Sequence, residues 1–409
     1  MSSARKNDIS PGRGRMAFPL HRARWISAAI FVVALIVRLI PAALFLYVTP
    51  DEPIWVYRSA RFLQVLKGGS SSSFPETGHP GVTTMGLGAL GIQAMLWLQP
   101  AEAQTHWRWI MSLGNLAPEN GAAMRHLSYF LPAGRAAVAV VTSAGLVALY
   151  LMGRKVFGER VARLLSVMLA LDSFFLGHSG ILHTDALQAT FVLLSALPIL
   201  SVFSPDRKRR GWPALALSAF LLALAGLTKT LGLLAAPGIA LLLLLGGHEN
   251  WMRRVGSVVI FGFLTTCFFL GGYPPVWYKG WEGVLPLVDA FRYHEGLGLR
   301  PVFFMGRMRA DAGPLFYPTV LILKMSAPMA LGLIGTGVRS WKGQGGARHA
   351  VSSLMCPALI YLLGLSFGAK KFDRYALTAV LLLAPIAASY WAGLRAIGQR
   401  VLAASLLLP

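Results

Sequence analysis

The fold class this sequence predicts is an all-α polytopic membrane protein of about ten transmembrane helices, and three observations predict it. The 409 residues are 55% hydrophobic and only 13% charged, with a mean hydropathy of +0.59, a balance that excludes a soluble globular chain. Apolar runs of about twenty residues, the length that crosses a hydrocarbon core, recur along the chain. The loops between them alternate between basic and acidic, under a formal net charge of +22. Cys267 and Cys356 each lie inside an apolar run, which excludes a disulfide framework and suits core packing.

The first run, Trp25 to Val48, exceeds a signal-peptide core and lacks a small-residue cleavage site, so it reads as a retained span. Further spans are expected near 135–153, 163–181, 185–203, 212–228, 231–247, 256–272, 318–336, 351–368 and 375–396. The Gly- and Thr-rich run Gly81 to Leu98 reads as a juxtamembrane helix within a long first outer loop. A basic cytoplasmic segment, 1–24, would precede one membrane domain over 25–400, with 401–409 as a tail. The tract "GGSSSS" at 68–73 reads as a flexible joint.

Orientation follows from the positive-inside rule. "GRKVFGERVAR", "SPDRKRRGW", Arg253 with Arg254, and "RSWKGQGGARH" fall at every second connection and are expected in the cytoplasm. The loops 49–134 and 273–317 then lie outside and hold most of the acidic residues. The outer connections taken together also hold cations against the trend, including Arg58, Arg61, Arg135, Lys229, Lys370, Lys371 and Arg374. An anionic partner at the outer boundary, such as a lipid-linked phosphate, accounts for them by charge and hydrogen bonding. Solvated charges and headgroup anchors account for the remainder.

Five stretches carry candidate chemistry. In "VTPDEPIWVYRSARF", Asp51 and Glu52 stand where the first span meets water. Partial desolvation there would raise a carboxylate's pKa and suit a general base, while Asp before Glu52 and Pro53 equally suits a helix cap. "FPETGHPGVTTM" sets Glu76 and His79 in a rigid Pro/Gly turn, candidates for substrate or metal contact. "LDSFFLGHSGILHTDALQATF" reads as a helical hairpin presenting His178, His183, Thr184 and Asp185. Asp172, deeper in that span, is costly enough there to imply pairing or function. "GLTKTLG" supplies Lys229, and "GAKKFDRYAL" supplies Lys370, Lys371, Arg374 and Tyr375, a cationic set at a helix start. No Walker sequence, dinucleotide fingerprint or HExxH is present, so a nucleotide-activated donor is not indicated and nucleic acid is not an expected partner.

Taken in order, these blocks resemble the membrane glycosyltransferases of the protein O-mannosyltransferase and aminoarabinose-transferase type, whose fold is called GT-C. "TPDEPIWVYRSARF", "ETGHPGVTTM", "AGRAAVAVVTSAGLVALYLMGRKVFGERVARLLS", "HSGILHTDALQATF", "GLTKTLGLLAAPG", "DAGPLFYPTVLILKMSAP" and "KKFDRYALTAVLLLAP" carry the resemblance over nearly the whole chain. It implies inverting transfer of mannose or another monosaccharide from a polyprenyl-phosphate donor to a protein, lipid or glycan acceptor at the outer face. Asp51 would be the base and Glu52 would orient substrate. Arg135, Lys229, Lys370, Lys371 and Arg374 would hold the leaving phosphate. Arg58, Glu76, His79, His183, Asp185 and Tyr375 complete the expected substrate-binding set. Gly180 stands where relatives often carry a basic residue, a contact that His178 or His183 would then supply. A divalent metal ion is left open, because Glu76, His79 and His294 do not match the relatives' ligand pattern cleanly. A bacterial inner membrane is the expected location. The competing reading is a transporter or flippase of a lipid-linked or anionic substrate, against which stand the missing internal repeat and the charged motifs gathered at one face.

Overall fold

The computed structural model describes residues 20–44, 47–69, 74–75, 79–117, 120–200, 211–246, 250–289, 301–342, 349–368 and 370–394. Its architecture is helical, with one short antiparallel hairpin of β1 (Val302–Phe304) and β2 (Arg307–Arg309). Helix α1 (Leu20–Leu44) is followed by α2 (Glu52–Leu66), α3 (Val82–Leu98) and α4 (Pro100–Ser112), so the first outer loop of the sequence reading is largely helical. The bundle continues with α5 (Ala123–Val156), α6 (Glu159–Leu171), α7 (Ser173–Ser179), α8 (Asp185–Leu200), α9 (Gly211–Thr228), α10 (Ala236–Leu245), α11 (Trp251–Gly272) and α12 (Pro274–Lys279). After the hairpin come α13 (Phe316–Lys324), α14 (Ala327–Trp341), α15 (Met355–Phe367) and α16 (Leu377–Ala392).

Helices α8 and α16 form the centre. A helix apolar on every face suits either the protein core or the lipid, and α8 takes the core: every residue but Phe191 is buried. Its polar groups are spent internally: Gln188 donates to Tyr361 and Thr378 at 3.1 and 2.9 Å, and the Thr190 hydroxyl to the Ala186 carbonyl at 2.7 Å. Around this axis α5, α6 and α9 pack the main core, while α2, α3 and the first half of α5 enclose a second one around Trp55, Met85, Ile92 and Phe130.

Small residues let the second core close. A Cβ on Gly91 would lie 2.7 Å from the Ala133 and Gly134 backbone, so α3 and α5 touch backbone to backbone there. Gly81 starts α3 with φ +61°, and a Cβ on it would lie 2.5 Å from the Trp55 ring. Gly81→Ala therefore adds left-handed strain and a clash, and should destabilise by more than about 1 kcal/mol. Thermal unfolding followed by tryptophan fluorescence reads both the loss and the displaced ring.

Five helices among the described residues are long and apolar enough to cross a membrane, or seven if two bent pairs each count as one span, beside four shorter apolar helices. The chain is a multi-pass membrane protein. Two expected straight spans are broken. The span at 163–181 bends by 64° between α6 and α7, because Asp172 leaves the helix, accepts the Phe175 amide at 2.9 Å as the cap of α7, and takes the Ser326 hydroxyl at 2.6 Å. The span at 318–336 bends by 112° between α13 and α14, where Met325 and Ser326 are extended and a proline opens α14. Asp172 is thus a joint between two breaks. The expected N-terminal segment and C-terminal tail lie outside the described residues except 20–24.

Candidate active site

The adjacent carboxylates Asp51 and Glu52 diverge completely. Glu52 opens α2 and is 0% exposed; Arg135 of α5 grips it through Nε and Nη2 at 2.7 Å each. The amides of Thr49 and Leu182 donate to it at 2.9 and 3.1 Å, and the Thr49 hydroxyl at 3.2 Å. Arg135 also donates to the Tyr47 carbonyl at 2.6 Å. Glu52 therefore fastens α2, α5 and the turn before α8 to one point. The guanidinium expected to meet phosphate is committed to this internal pair.

Asp51 stands one residue earlier at the cap position of α2, yet its side chain makes no capping hydrogen bond. The expected capping role is absent. Its Oδ2 lies 3.1 Å from His183 Nε2 and 3.1 Å from Arg374 Nη2, with 39% of the side chain exposed. Both contacts fall on Oδ2, which leaves Oδ1 as the oxygen open to a reactant. Behind it, His183 Nδ1 is 2.9 Å from Asp185 Oδ2, Arg374 Nε is 3.2 Å from the same oxygen, and Lys229 Nζ closes on Asp185 Oδ1. Lys229 also lies 4.0 Å over the Tyr375 ring. The result is a line running inward from Asp51 through His183 and Asp185 to Lys229, with Arg374 bridging the two carboxylates.

Local structure aims each member. The turn between α7 and α8 carries His183 and is held by the Leu182 amide on Glu52. Leu182 itself fits only because Gly134 faces it, where a Cβ would come within 2.9 Å. Trp55 meets the His183 ring edge to face at 6.2 Å. Lys229 sits in the break between α9 and the 3-10 turn before α10, and Arg374 in the 3-10 turn that leads into α16.

The electrostatics correct one sequence expectation. Asp51 is held down to about 2, chiefly by the hydrogen bond from His183, with the Arg374 charge adding and a desolvation penalty opposing. Desolvation alone would have raised it. Burial alone would push the His183 imidazole down, but the carboxylates of Asp185 and Asp51 outweigh it and raise it. The stabilisation from His183 is thus complete below about pH 6.5 and is lost as pH rises through its raised folded value, whereas that from Asp51 is complete above about pH 4 and is lost as pH falls toward 2. Thermal melts of the protein and of His183→Gln across pH should converge on the alkaline side; a constant gap would count against the charged imidazole.

The other expected residues divide. Arg58 stacks over Trp55 at 5.0 Å and has no carboxylate partner among the described residues, though the Asp51 charge reaches it. Lys371 is buried against Asp311 at 2.8 Å and the Gly368 carbonyl at 2.6 Å, so it anchors the segment after β2 rather than joining the Asp51 line. Lys370 and Arg374 both approach the Phe372 ring, at 5.6 and 4.6 Å. His79 lies in the turn before α3; Glu76 and His294 lie outside the described residues. No group of three His, Cys, Asp or Glu side chains able to hold a metal occurs among the described residues. Sequence reasoning missed that Asp51, His183 and Asp185 form one chain of contacts, for which the His-x-Asp spacing in a turn was the available signal. Chemically, two carboxylates face Lys229, Arg374 and His183, so that with the imidazole protonated the cluster has a surplus of one positive charge, or two with Arg58. Such a cluster accommodates an anion beside an ionised carboxylate.

Residues 131–275, from within α5 to the start of α12, match the family model described as dolichyl-phosphate-mannose-protein mannosyltransferase. No curated protein matches the chain. Among solved structures, ArnT from Cupriavidus metallidurans in the apo state is similar at a TM-score of 0.61 and 16% identity, over 93% of this chain and 62% of that one. The same protein bound to undecaprenyl phosphate is similar at 0.61 and 14% identity, with the same coverage. The archaeal oligosaccharyltransferase AglB from Archaeoglobus fulgidus gives 0.46 at 14% identity, over 91% of this chain and 50% of that one. The chain spans about three-fifths of the length of ArnT. It has the GT-C fold that ArnT displays and carries, over residues 131–275, the sequence pattern of the dolichyl-phosphate-mannose-protein mannosyltransferases.

Proposed function

We propose that this protein is an inverting glycosyltransferase that moves a monosaccharide from a polyprenyl-phosphate donor to a hydroxyl or amine acceptor at the outer face of a bacterial inner membrane. The observation that carries the reading is the half-exposed Asp51, ionised and paired with His183 and Arg374 at the rim of a cation-rich cluster. The family pattern in residues 131–275 and the undecaprenyl phosphate bound by ArnT support a polyprenyl-linked donor. A transporter or flippase gains no support from this arrangement.

In the proposed reaction the acceptor oxygen or nitrogen attacks the anomeric carbon of the sugar. The bond from that carbon to the phosphate oxygen breaks, polyprenyl phosphate departs with the electron pair, and the acceptor proton passes to Asp51 Oδ1. A carboxylate with a pKa near 2 is a weak base, and the geometry supplies a remedy. The departing phosphate competes with Asp51 for Arg374, and as that guanidinium turns toward phosphate its share of the depression of Asp51 is withdrawn, while the larger share from the His183 hydrogen bond stays. Base strength and leaving-group stabilisation then rise together. Arg58 and Lys229 add positive charge around the phosphate, while Glu52 and Arg135 act only through the elements they hold.

The test uses purified protein in nanodiscs with a panel of radiolabelled polyprenyl-phosphate monosaccharides and a membrane extract as acceptor. Transfer from a polyprenyl-phosphate sugar, with none from the matching nucleotide sugar, is the expected result. Transfer from neither, by protein that binds polyprenyl phosphate, would overturn it.

A further inference from the structure

A polar cavity of about 440 Å³ lies at the far end of the bundle from Asp51. Helix α16 links the two: Arg374 precedes its first turn and Tyr390 lies in its last, a rise of about 24 Å. The cavity is walled by the α5–α6 turn and by the ends of α14 and α16. Nothing in the reaction proposed above uses it.

Its polar groups are arranged for an anion. Arg339 projects from the last turn of α14, and its guanidinium lies 4.8 Å over the Tyr390 ring. It also presses on Gly393, where a Cβ would come within 2.7 Å of Nη1, so two contacts fix its direction. Among the described residues no carboxylate pairs with it. The one acid in the wall, Glu159, is already engaged: the Tyr150 hydroxyl donates to it at 2.6 Å, and the Nε atoms of Arg154 and Arg163 lie 3.6 and 3.7 Å away. Arg160 stands at the rim and donates to the Leu394 carbonyl at 3.0 Å. Helix α6 begins here behind Gly158, which has no side chain with which to cap it. A fixed guanidinium, a second arginine, the start of α6 and the Ser340 hydroxyl around a cavity of this size match the oxygens of a phosphate ester.

We propose that this cavity binds a phosphate-ester anion, with Arg339 as its principal contact. Two sources carry that chemistry: the headgroup of an anionic phospholipid in the leaflet at that end, and a soluble phosphate ester. Arg339 and Ser340 lie outside the candidate active site, so binding can be read without any assay of transfer.

The experiment is native mass spectrometry of delipidated full-length protein titrated with phosphatidylglycerol, phosphatidylcholine, glycerol 3-phosphate or inorganic phosphate. The expected result is one phosphatidylglycerol or phosphate ester retained in preference to phosphatidylcholine. Arg339→Gln should weaken that retention at least about tenfold, the loss of one charge-assisted contact, and Arg339→Lys should recover part of it. Ser340→Glu puts a negative charge at an exposed position of the wall and tests the same site in a variant whose core is untouched. Retention of phosphatidylglycerol alone assigns the headgroup, and competition by glycerol 3-phosphate assigns the soluble ester. No preferential anion on the unsubstituted protein, or equal retention in Ser340→Glu, overturns the proposal.

Discussion

Asp51→Asn is expected to lower sugar transfer by about 10²- to 10⁴-fold while the protein stays folded and melts within a few degrees of the parent. The two halves of that expectation have separate grounds. Asn keeps the shape of Asp and can still accept from His183, but it cannot take a proton at Oδ1. The fold loses little because Asp51 caps nothing, is 39% exposed, and leaves His183 and Arg374 with Asp185 as their remaining counter-charge. Initial rates against donor concentration, with melting curves on the same preparations, measure both. An effect on kcat with little change in KM is the signature of a group acting in the transition state. Full turnover by a folded Asp51→Asn protein would remove the base from Asp51.

How much of this arrangement the sequence disclosed can be judged residue by residue. Hydropathy located the apolar helices, but which of them are buried all round, as α8 and α16 are, is decided by packing, since the likewise apolar α10 and α11 are not. It did not disclose the breaks at Asp172 and Ser326: a hydropathy window averages over one polar residue, and that residue's hydrogen bonds decide whether the helix continues. The sequence also drew attention to Asp51, His183, Asp185, Lys229 and Arg374, which the fold brings into contact. Their individual chemistry was less legible. Asp51 and Glu52 are adjacent and look equivalent, and only the arrival of Arg135 from 83 residues away separates a buried fastener from an open carboxylate. The expectation of a raised pKa for Asp51 weighed desolvation alone, before its partners were known. Lys371 read as a phosphate ligand because it lies in a cationic run, but its burial against Asp311 is a tertiary fact that no local pattern carries.

The largest loss of stability is expected at a residue the proposed reaction never touches. Arg135→Met removes a guanidinium that is 1% exposed and leaves the Glu52 carboxylate, itself 0% exposed, without a counter-charge. Removing one partner of a buried pair costs about 3–5 kcal/mol, because the remaining charge keeps its desolvation penalty and loses its compensation. The three donors that stay on Glu52, the Thr49 and Leu182 amides and the Thr49 hydroxyl, place the expected cost toward the lower end of that range. Glu52→Gln alone leaves Arg135 facing a neutral amide in place of its carboxylate, and should also be destabilising. The double variant is the decisive comparison. With both charges gone no ion is stranded, so its loss should be clearly smaller than the sum of the single losses, a coupling that melting temperatures in one detergent can measure. Strict additivity would mean that the pair is not the fastener of α2, α5 and the His183 turn. With a strong coupling, transfer is expected to fall as well in variants of these two residues, because when the turn carrying His183 loosens, Asp51 loses the partner that holds it in place.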